Sequence, residues 1–161
     1  MINWKIIKKF TPEEFSEDPT IYSKPQTIYD LDTLRFLLGY SINPSKAKGA
    51  VARFSGDTLT RHYAFGRKSD ALDIFCNCTP SYTFNIILVS RLFNGIGVYF
   101  DTNNNQGEIQ VMFHIDQRPL KINGLPTIWY RDNNGYHYPG DVPEKFYNEL
   151  MNRLINRMSI L

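Results

Sequence analysis

Three side chains in this sequence have the chemistry of metal ligands. Histidine occurs only at His62, His114 and His137. Asp73 lies inside the apolar run 71–75, where a carboxylate is costly to bury unless it is paired or bound to a cation. Two imidazoles and one carboxylate form a set that zinc binds, with water in the fourth position. His62, Asp73 and His114 are therefore candidate zinc ligands, and hydrogen-bonded histidines with an ion-paired aspartate are the alternative.

The second candidate histidine lies in a segment that alternates like a strand. His114 and Asp116 occupy alternate positions in 111–116, so they point to one face while their apolar neighbours point to the other. Asp73 is also predicted to lie on a strand. Two strands then offer metal-binding groups on the cleft side of a sheet.

Two segments, 61–74 and 113–118, resemble the signature segments of the zinc D-alanyl-D-alanine carboxypeptidase and endopeptidase family. The first family motif is Ser-x-His-x-x-Gly-x-Ala-x-Asp, and the second is a strand His that is often followed by x-Asp. A Gly-x-Gly strand precedes the second motif in the family, and Gly95 and Gly97 fit it. The resemblance covers about residues 50–131 and is closest to bacteriophage-encoded members.

The resemblance implies a zinc-dependent hydrolase of peptide bonds in D-alanine-containing peptidoglycan stem peptides, with His62, Asp73 and His114 as ligands. Asp73 follows His62 by 11 positions and Asp70 follows it by 8, both further than in the family motif. Asp73 is preferred because Ala-Leu-Asp-Ile copies the Ala-x-Asp-Ile string of the family and lies in the predicted strand. The extra residues then form a longer loop after His62.

The catalytic base is not assigned by the family pattern. Many members carry Glu or Asp three residues before the second histidine, where this chain has Val111. Asp116 and Glu108 are the candidate bases by strand parity, although Asp116 could instead orient a ligand histidine. Arg53 and Arg61 are candidate contacts for a substrate carboxylate, with solvated surface arginines as the alternative.

Two rival interpretations remain, and Val111 favours the first of them. A virion or assembly protein could keep the fold and the metal but bind without cleaving. Alternatively, the chain could be an unrelated α+β domain in which the His and Asp placement is accidental.

The remaining pattern predicts one α+β domain over residues 1–161. We expect a small antiparallel sheet with flanking helices, and the resemblance implies a hedgehog/DD-peptidase-like fold. A helix start is predicted at 11–14, where Thr precedes Pro and Glu. The predicted helices cover 28–40, 81–94 and 143–160, and the predicted strands cover 71–75, 96–100, 109–117 and 127–131.

Composition excludes several classes of protein. Eighteen basic and sixteen acidic residues give a net charge of +2, which gives no argument for nucleic acid or membrane partners. No secretory signal or apolar run long enough for a membrane span is visible. We expect a soluble monomer that is made in a host cytoplasm and acts at the bacterial cell wall or in the virion, with a peptidoglycan peptide as its substrate.

Cys76 and Cys78 are expected to be reduced, semi-buried thiols.

Overall fold

The computed structural model describes residues 1–56 and 59–157. A short 3-10 helix covers Pro12–Glu14. Four α-helices follow within the described residues: α1 (Pro19–Tyr22), α2 (Pro25–Leu38), α3 (Pro80–Ser90) and α4 (Pro143–Asn156). The strands are β1 (Ile42–Pro44), β2 (Ala71–Cys76), β3 (Gly95–Tyr99), β4 (Met112–Asp116), β5 (Thr127–Asp132) and β6 (Gly135–His137).

The sheet is mixed, with the strand order β1-β2-β4-β3-β5-β6. An α+β fold is confirmed, but the expectation of a small antiparallel sheet was wrong because β3 and β5 are parallel and six strands take part. The connection from β4 to β5 explains the parallel pair. The side chain of Asn94 donates to the carbonyl of Arg118 (2.8 Å), and the carbonyl of Asn94 accepts from the amide of Thr127 (2.7 Å). Residue 94 thus holds both ends of the connection at the start of β3, so β5 begins where β3 begins.

Alternation along the strands gives the sheet two different faces. One face is apolar and packs against α2, α3 and α4 as the main core. Its fully or nearly fully buried members are Leu72, Ile74, Ile96, Val98, Phe113, Ile115, Ile128 and Tyr130 from the strands, with Ile28, Leu31, Leu34, Leu38, Phe84, Ile87, Phe146, Leu150 and Leu154 from the helices.

The other face carries polar and aromatic side chains in one row across four strands. The registers place Asp73 opposite His114, His114 opposite Gly97, and Gly97 opposite Trp129. The segment that follows β1 supplies His62 next to this row. The sheet therefore has helices on one face and the candidate site on the other.

The elements differ from the sequence predictions mainly at their ends. The start signal at Thr11 forms a complete capping box with Glu14, but only one 3-10 turn follows. Helix α2 begins three residues earlier than predicted, at Pro25, and ends where Gly39 adopts φ 70°. Strand β4 is shorter than 109–117, since residues 109–111 belong to the preceding loop and the strand ends at Asp116. The last three residues of the helix predicted over 143–160 lie outside the described residues. None of the described helices is long and apolar enough to cross a membrane.

Candidate metal centre

Two strands of the sheet bring together two of the predicted ligands. Asp73 on β2 and His114 on β4 are direct partners in the antiparallel register. Side chains on directly opposed residues have Cβ atoms about 4.5–5.5 Å apart. His114 Nδ1 consequently lies 2.9 Å from Asp73 Oδ1.

A short segment next to β2 positions the third predicted ligand. The amide of Arg53 donates to the carbonyl of His62 (2.7 Å), and the amide of Ala64 donates to the carbonyl of Arg53 (2.8 Å). The carbonyl of Ala50 accepts from the amide of Asp73 (3.2 Å). Residues 50–53 are thus bonded through the backbone to both His62 and Asp73, so this segment sets the distance between them.

A carboxylate from the N-terminal region holds that segment in place. Glu17 accepts hydrogen bonds from the amides of Gly49 (2.7 Å), Val51 (3.1 Å) and Ala52 (3.3 Å). A carboxylate that accepts several backbone N–H groups forms charge-assisted hydrogen bonds, which are stronger than neutral ones. Glu17 therefore supports the ligand positions from outside the site.

The three predicted ligands form a tight and buried triangle. His62 Nε2 lies 3.2 Å from Asp73 Oδ1 and 3.0 Å from His114 Nδ1, which closes the triangle with the 2.9 Å contact between His114 and Asp73. The exposed fractions are 2% for His62, 7% for Asp73 and 5% for His114. This buried cluster could hold a metal ion.

The three atoms of the triangle are better suited to coordinating a cation than to forming hydrogen bonds with one another. An ionised Asp73 Oδ1 can accept only, so protons on the two imidazole nitrogens satisfy two edges of the triangle. The third edge then sets the N–H of His62 against the N–H of His114 at 3.0 Å. A cation at the centre would accept the lone pairs of all three atoms at once. Ligands about 2.0–2.1 Å from a tetrahedral zinc ion lie about 3.3–3.4 Å from one another, close to the observed edges.

The electrostatics of the cluster favour a charged state. Burial alone would raise the pKa of Asp73, but the positive charge of His62 and hydrogen bonds from His114 and His62 hold it well below its usual range. Burial alone would likewise lower the pKa of His114, but hydrogen bonds to Asp116 and Asp73 raise it to about 9. A positive charge is thus favoured at this point of the sheet, whether it comes from a proton or from a metal ion.

Asp116 contacts the far side of the His114 ring. Its Oδ2 lies 3.0 Å from His114 Nε2, whereas Nδ1 faces the cluster. Arg118 Nε donates to both oxygens of Asp116 (2.8 and 3.0 Å), and Arg118 Nη2 donates to Oδ2 (2.5 Å). Asp116 is fully buried. This position suits a carboxylate that fixes the orientation and proton of a ligand histidine, rather than a base above the metal.

Two glycines make room for these groups. A Cβ on Gly95 would lie 2.5 Å from Arg118 Nε and closer still to the Asp116 carboxylate. A Cβ on Gly97 would lie 2.6–2.8 Å from the indole of Trp129. The Gly-x-Gly pattern therefore lets Asp116, Arg118 and Trp129 lie over β3.

Asp70, the alternative ligand, is engaged elsewhere. Its carboxylate accepts from Arg61 Nε (2.8 Å) and Nη2 and from Lys24 Nζ (2.8 Å). Asp70 is 3% exposed and is not part of the cluster that could hold a metal. Of the two aspartates that the sequence left open, the structure places Asp73 next to both histidines.

A cavity of about 420 Å³ opens beside His114. Arg61 and Arg118 line it together with aromatic side chains. Arg118 lies over the ring of Trp129, with its guanidinium carbon 4.5 Å from the ring centroid. Burial and the nearby charge of Asp73 raise the pKa of Tyr99. The remaining lining residues are Leu59, Thr60, Tyr136 and Tyr138.

The structure does not bring Glu108 or Arg53 to this cavity. Glu108 lies in the loop between β3 and β4, where its carboxylate accepts from Asn104 Nδ2 (3.2 Å) and lines a different cavity of about 620 Å³. The guanidinium of Arg53 bonds to the carbonyl of Gly49 through Nε (3.3 Å). Arg53 therefore contributes to the site through its backbone, by holding His62.

His137 and the cysteines also lie outside the cluster. His137 Nε2 is 3.0 Å from Asp132 Oδ1, and its ring stacks on Tyr130. Cys76 and Cys78 are free thiols, and burial raises the pKa of both.

Sequence reasoning missed Arg118 as a site residue, although its parity with His114 and Asp116 in the strand pattern was a usable signal. Tyr136 on β6 and Tyr138, which follows that strand, also line the cavity, and β6 was not predicted. Comparisons of the chain with protein-family models, with curated proteins and with solved structures give no match.

Proposed function

We propose that this chain is a zinc-dependent peptidase of the D-alanyl-D-alanine carboxypeptidase or endopeptidase type, which hydrolyses a peptide bond in peptidoglycan stem peptides. The observation that carries the proposal is the buried triangle of His62 Nε2, Asp73 Oδ1 and His114 Nδ1, with edges of 2.9–3.2 Å. Three protein ligands leave one position open for water or substrate, which is the arrangement of catalytic rather than structural zinc.

The sequence resemblance supports the same assignment. The strand Asp of the first motif, the second His with x-Asp, and the Gly-x-Gly pair lie on the neighbouring strands β2, β4 and β3. The first His, His62, reaches them from the segment that follows β1. The hedgehog/DD-peptidase fold is part of this proposal, since a mixed α+β domain with the ligands on one sheet face is compatible with it. The bacteriophage origin and the action at the cell wall are also parts of the proposal.

A bound zinc ion would supply a Lewis acid that activates water and polarises a carbonyl. The chain's own side chains do the positioning. Asp116, held by Arg118, fixes the ring of His114 so that Nδ1 faces the cluster. Trp129 and Tyr99 contribute buried aromatic side chains to the lining of the cavity. Arg61 and Arg118 bring two guanidinium groups to the lining of the cavity.

Zinc content and peptide cleavage test the proposal together. Purified wild type should hold one zinc ion per chain, and His114→Ala should hold none and be inactive on muropeptides. His137→Ala is the matched control because His137 pairs with Asp132, outside the cluster, so zinc and turnover should persist. If neither the wild type nor the control variant held zinc, the metal site would be wrong.

A catalytically weak or inactive virion or assembly protein with the same fold is the second candidate. One observation favours it: among the described residues, no carboxylate lines the cavity beside His114. Asp116 is occupied by Arg118, and Glu108 lines the other cavity. Stoichiometric zinc without turnover on any type of cell wall would establish this candidate and refute the peptidase.

A further inference from the structure

Two arginines line the cavity, and a buried carboxylate holds each of them. Arg61 donates to Asp70 through Nε and Nη2, and Arg118 donates to Asp116 through the same two groups. Asp70 is 3% exposed and Asp116 is 0% exposed. A guanidinium fixed by such a fork loses little further freedom when it binds a ligand.

Each arginine keeps N–H groups that form no hydrogen bond to the described residues. Among the described residues, neither Arg61 Nη1 nor Arg118 Nη1 has a hydrogen-bond partner. Both guanidinium groups are partly open, with side-chain exposures of 27% each, and both line the cavity. Two planar donors with spare N–H groups in one cavity match an anion, since arginine recognises carboxylates through parallel hydrogen bonds.

The two anchors lie at the same end of the β2–β4 pair. Asp116 is opposite Ala71 in the register, and the amide of Gln117 donates to the carbonyl of Asp70 (3.0 Å). His114 precedes Asp116 by two residues on β4, so their Cα atoms are about 7 Å apart at the rise of a strand. An anion at the arginines would therefore lie about one or two residues of extended peptide from the cluster.

We propose that Arg61 and Arg118 form a carboxylate subsite that selects peptides with a carboxylate one or two residues from the scissile bond. The subsite rests on the proposed peptidase function for its substrate. Arg118 thereby takes the place that the sequence gave to Arg53, whose guanidinium faces Gly49. The carboxylate is either the C-terminus of the peptide or an acidic group within it.

Binding to the metal-free protein tests the subsite without relying on turnover. The chain has two tryptophans, so an indole N–H spectrum has two signals. Trp129 lies beneath Arg118, whereas Trp4 bonds to Thr20 in the N-terminal region. The probes are an N-acetylated tripeptide ending in D-alanyl-D-alanine, its C-terminal amide, and the same amide with an internal glutamate.

We expect the free acid to shift the Trp129 signal, to leave Trp4 unchanged, and to bind about tenfold more tightly than the amide. Arg61→Lys and Arg118→Lys keep the charge but lose the fork, and each should remove most of the preference for the acid over the amide. Arg91→Lys, at the exposed end of α3, is the matched control. If the internal glutamate restores tight binding, the subsite reads an acidic side chain as well as a terminus.

Acid and amide binding alike in wild type would overturn the subsite. A loss of acid preference in Arg53→Lys, with none in the other two variants, would return the carboxylate to Arg53 and overturn it too. If zinc-loaded protein cleaves acid and amide with equal KM, the subsite fails and the peptidase stands. If the acid binds selectively but no peptide is cleaved, the peptidase fails and the subsite stands.

Discussion

The substitution Gly95→Ala tests whether Asp116 and Arg118 control the metal centre. Gly95 has no positive φ, so alanine introduces no backbone strain there. The added methyl group would instead lie 2.5 Å from Arg118 Nε and closer to the carboxylate of Asp116. An ordinary van der Waals contact is at least 3.4 Å. The neighbouring side chains must therefore move by about 1 Å.

A displacement of this size is enough to break the contact with His114. The present distance from His114 Nε2 to Asp116 Oδ2 is 3.0 Å, and N–H···O hydrogen bonds in proteins span about 2.7–3.2 Å. Loss of such a partner typically costs a metal site 10–100-fold in affinity. Crowding in a packed site should also lower the free energy of unfolding by about 1–3 kcal/mol.

The measurements are zinc competition against a chromophoric chelator and urea unfolding of the metal-free protein. Gly140→Ala is the matched control, because nothing lies within 4 Å of its added methyl group. We expect the control to equal wild type in both assays. Zinc affinity in Gly95→Ala within twofold of wild type would refute the role given to Asp116.

Three further predictions concern protons, loop support and the metal itself. Because a proton must leave His114, whose pKa is raised to about 9, zinc affinity measured by chelator competition should rise about tenfold per pH unit between pH 7 and 9. In metal-free protein the same proton stabilises the fold, and this stabilisation is complete below the ordinary histidine pKa. The free energy of unfolding in urea should therefore fall as the pH rises through 9. An increase over that range would contradict the prediction. Glu17→Gln weakens three hydrogen bonds to backbone amides, so it should lower the free energy of unfolding in urea by about 2 kcal/mol and also weaken zinc binding. An unchanged zinc affinity would show that this loop does not support the metal site. Chelation should lower the melting temperature of zinc-saturated wild type and should not affect His114→Ala. When free zinc is a thousandfold above its Kd, the stabilisation that chelation removes is about 4 kcal/mol.

The positions of the candidate ligands were predictable because burial and periodicity are local signals. A carboxylate inside the apolar run of β2 and a histidine on alternate positions of β4 indicated one polar face. The choice of Asp73 over Asp70 also followed from strand placement. Structure adds the reason for the choice, since Asp70 is held by Arg61 and Lys24.

Other features depend on contacts that periodicity does not encode. The parallel pairing of β3 with β5 follows from the way that Asn94 holds both ends of a connection. Strand β1 is a three-residue edge strand that ends in Pro44, so it has no pattern to detect. Which nitrogen of His114 faces Asp116 is a matter of ring orientation, and the sequence carries no signal for it.

The row across the sheet has a consequence for the lifetime of the folded protein. His114 is 41 residues from Asp73 and 52 residues from His62, so the triangle exists only after β2 and β4 have paired. Contacts of such long range form late and at the cost of closing long loops. A metal ion held there would stabilise the native state without stabilising the transition state for folding, and its energy would therefore appear in the unfolding rate. Zinc should leave refolding as fast as before and make the folded chain last longer.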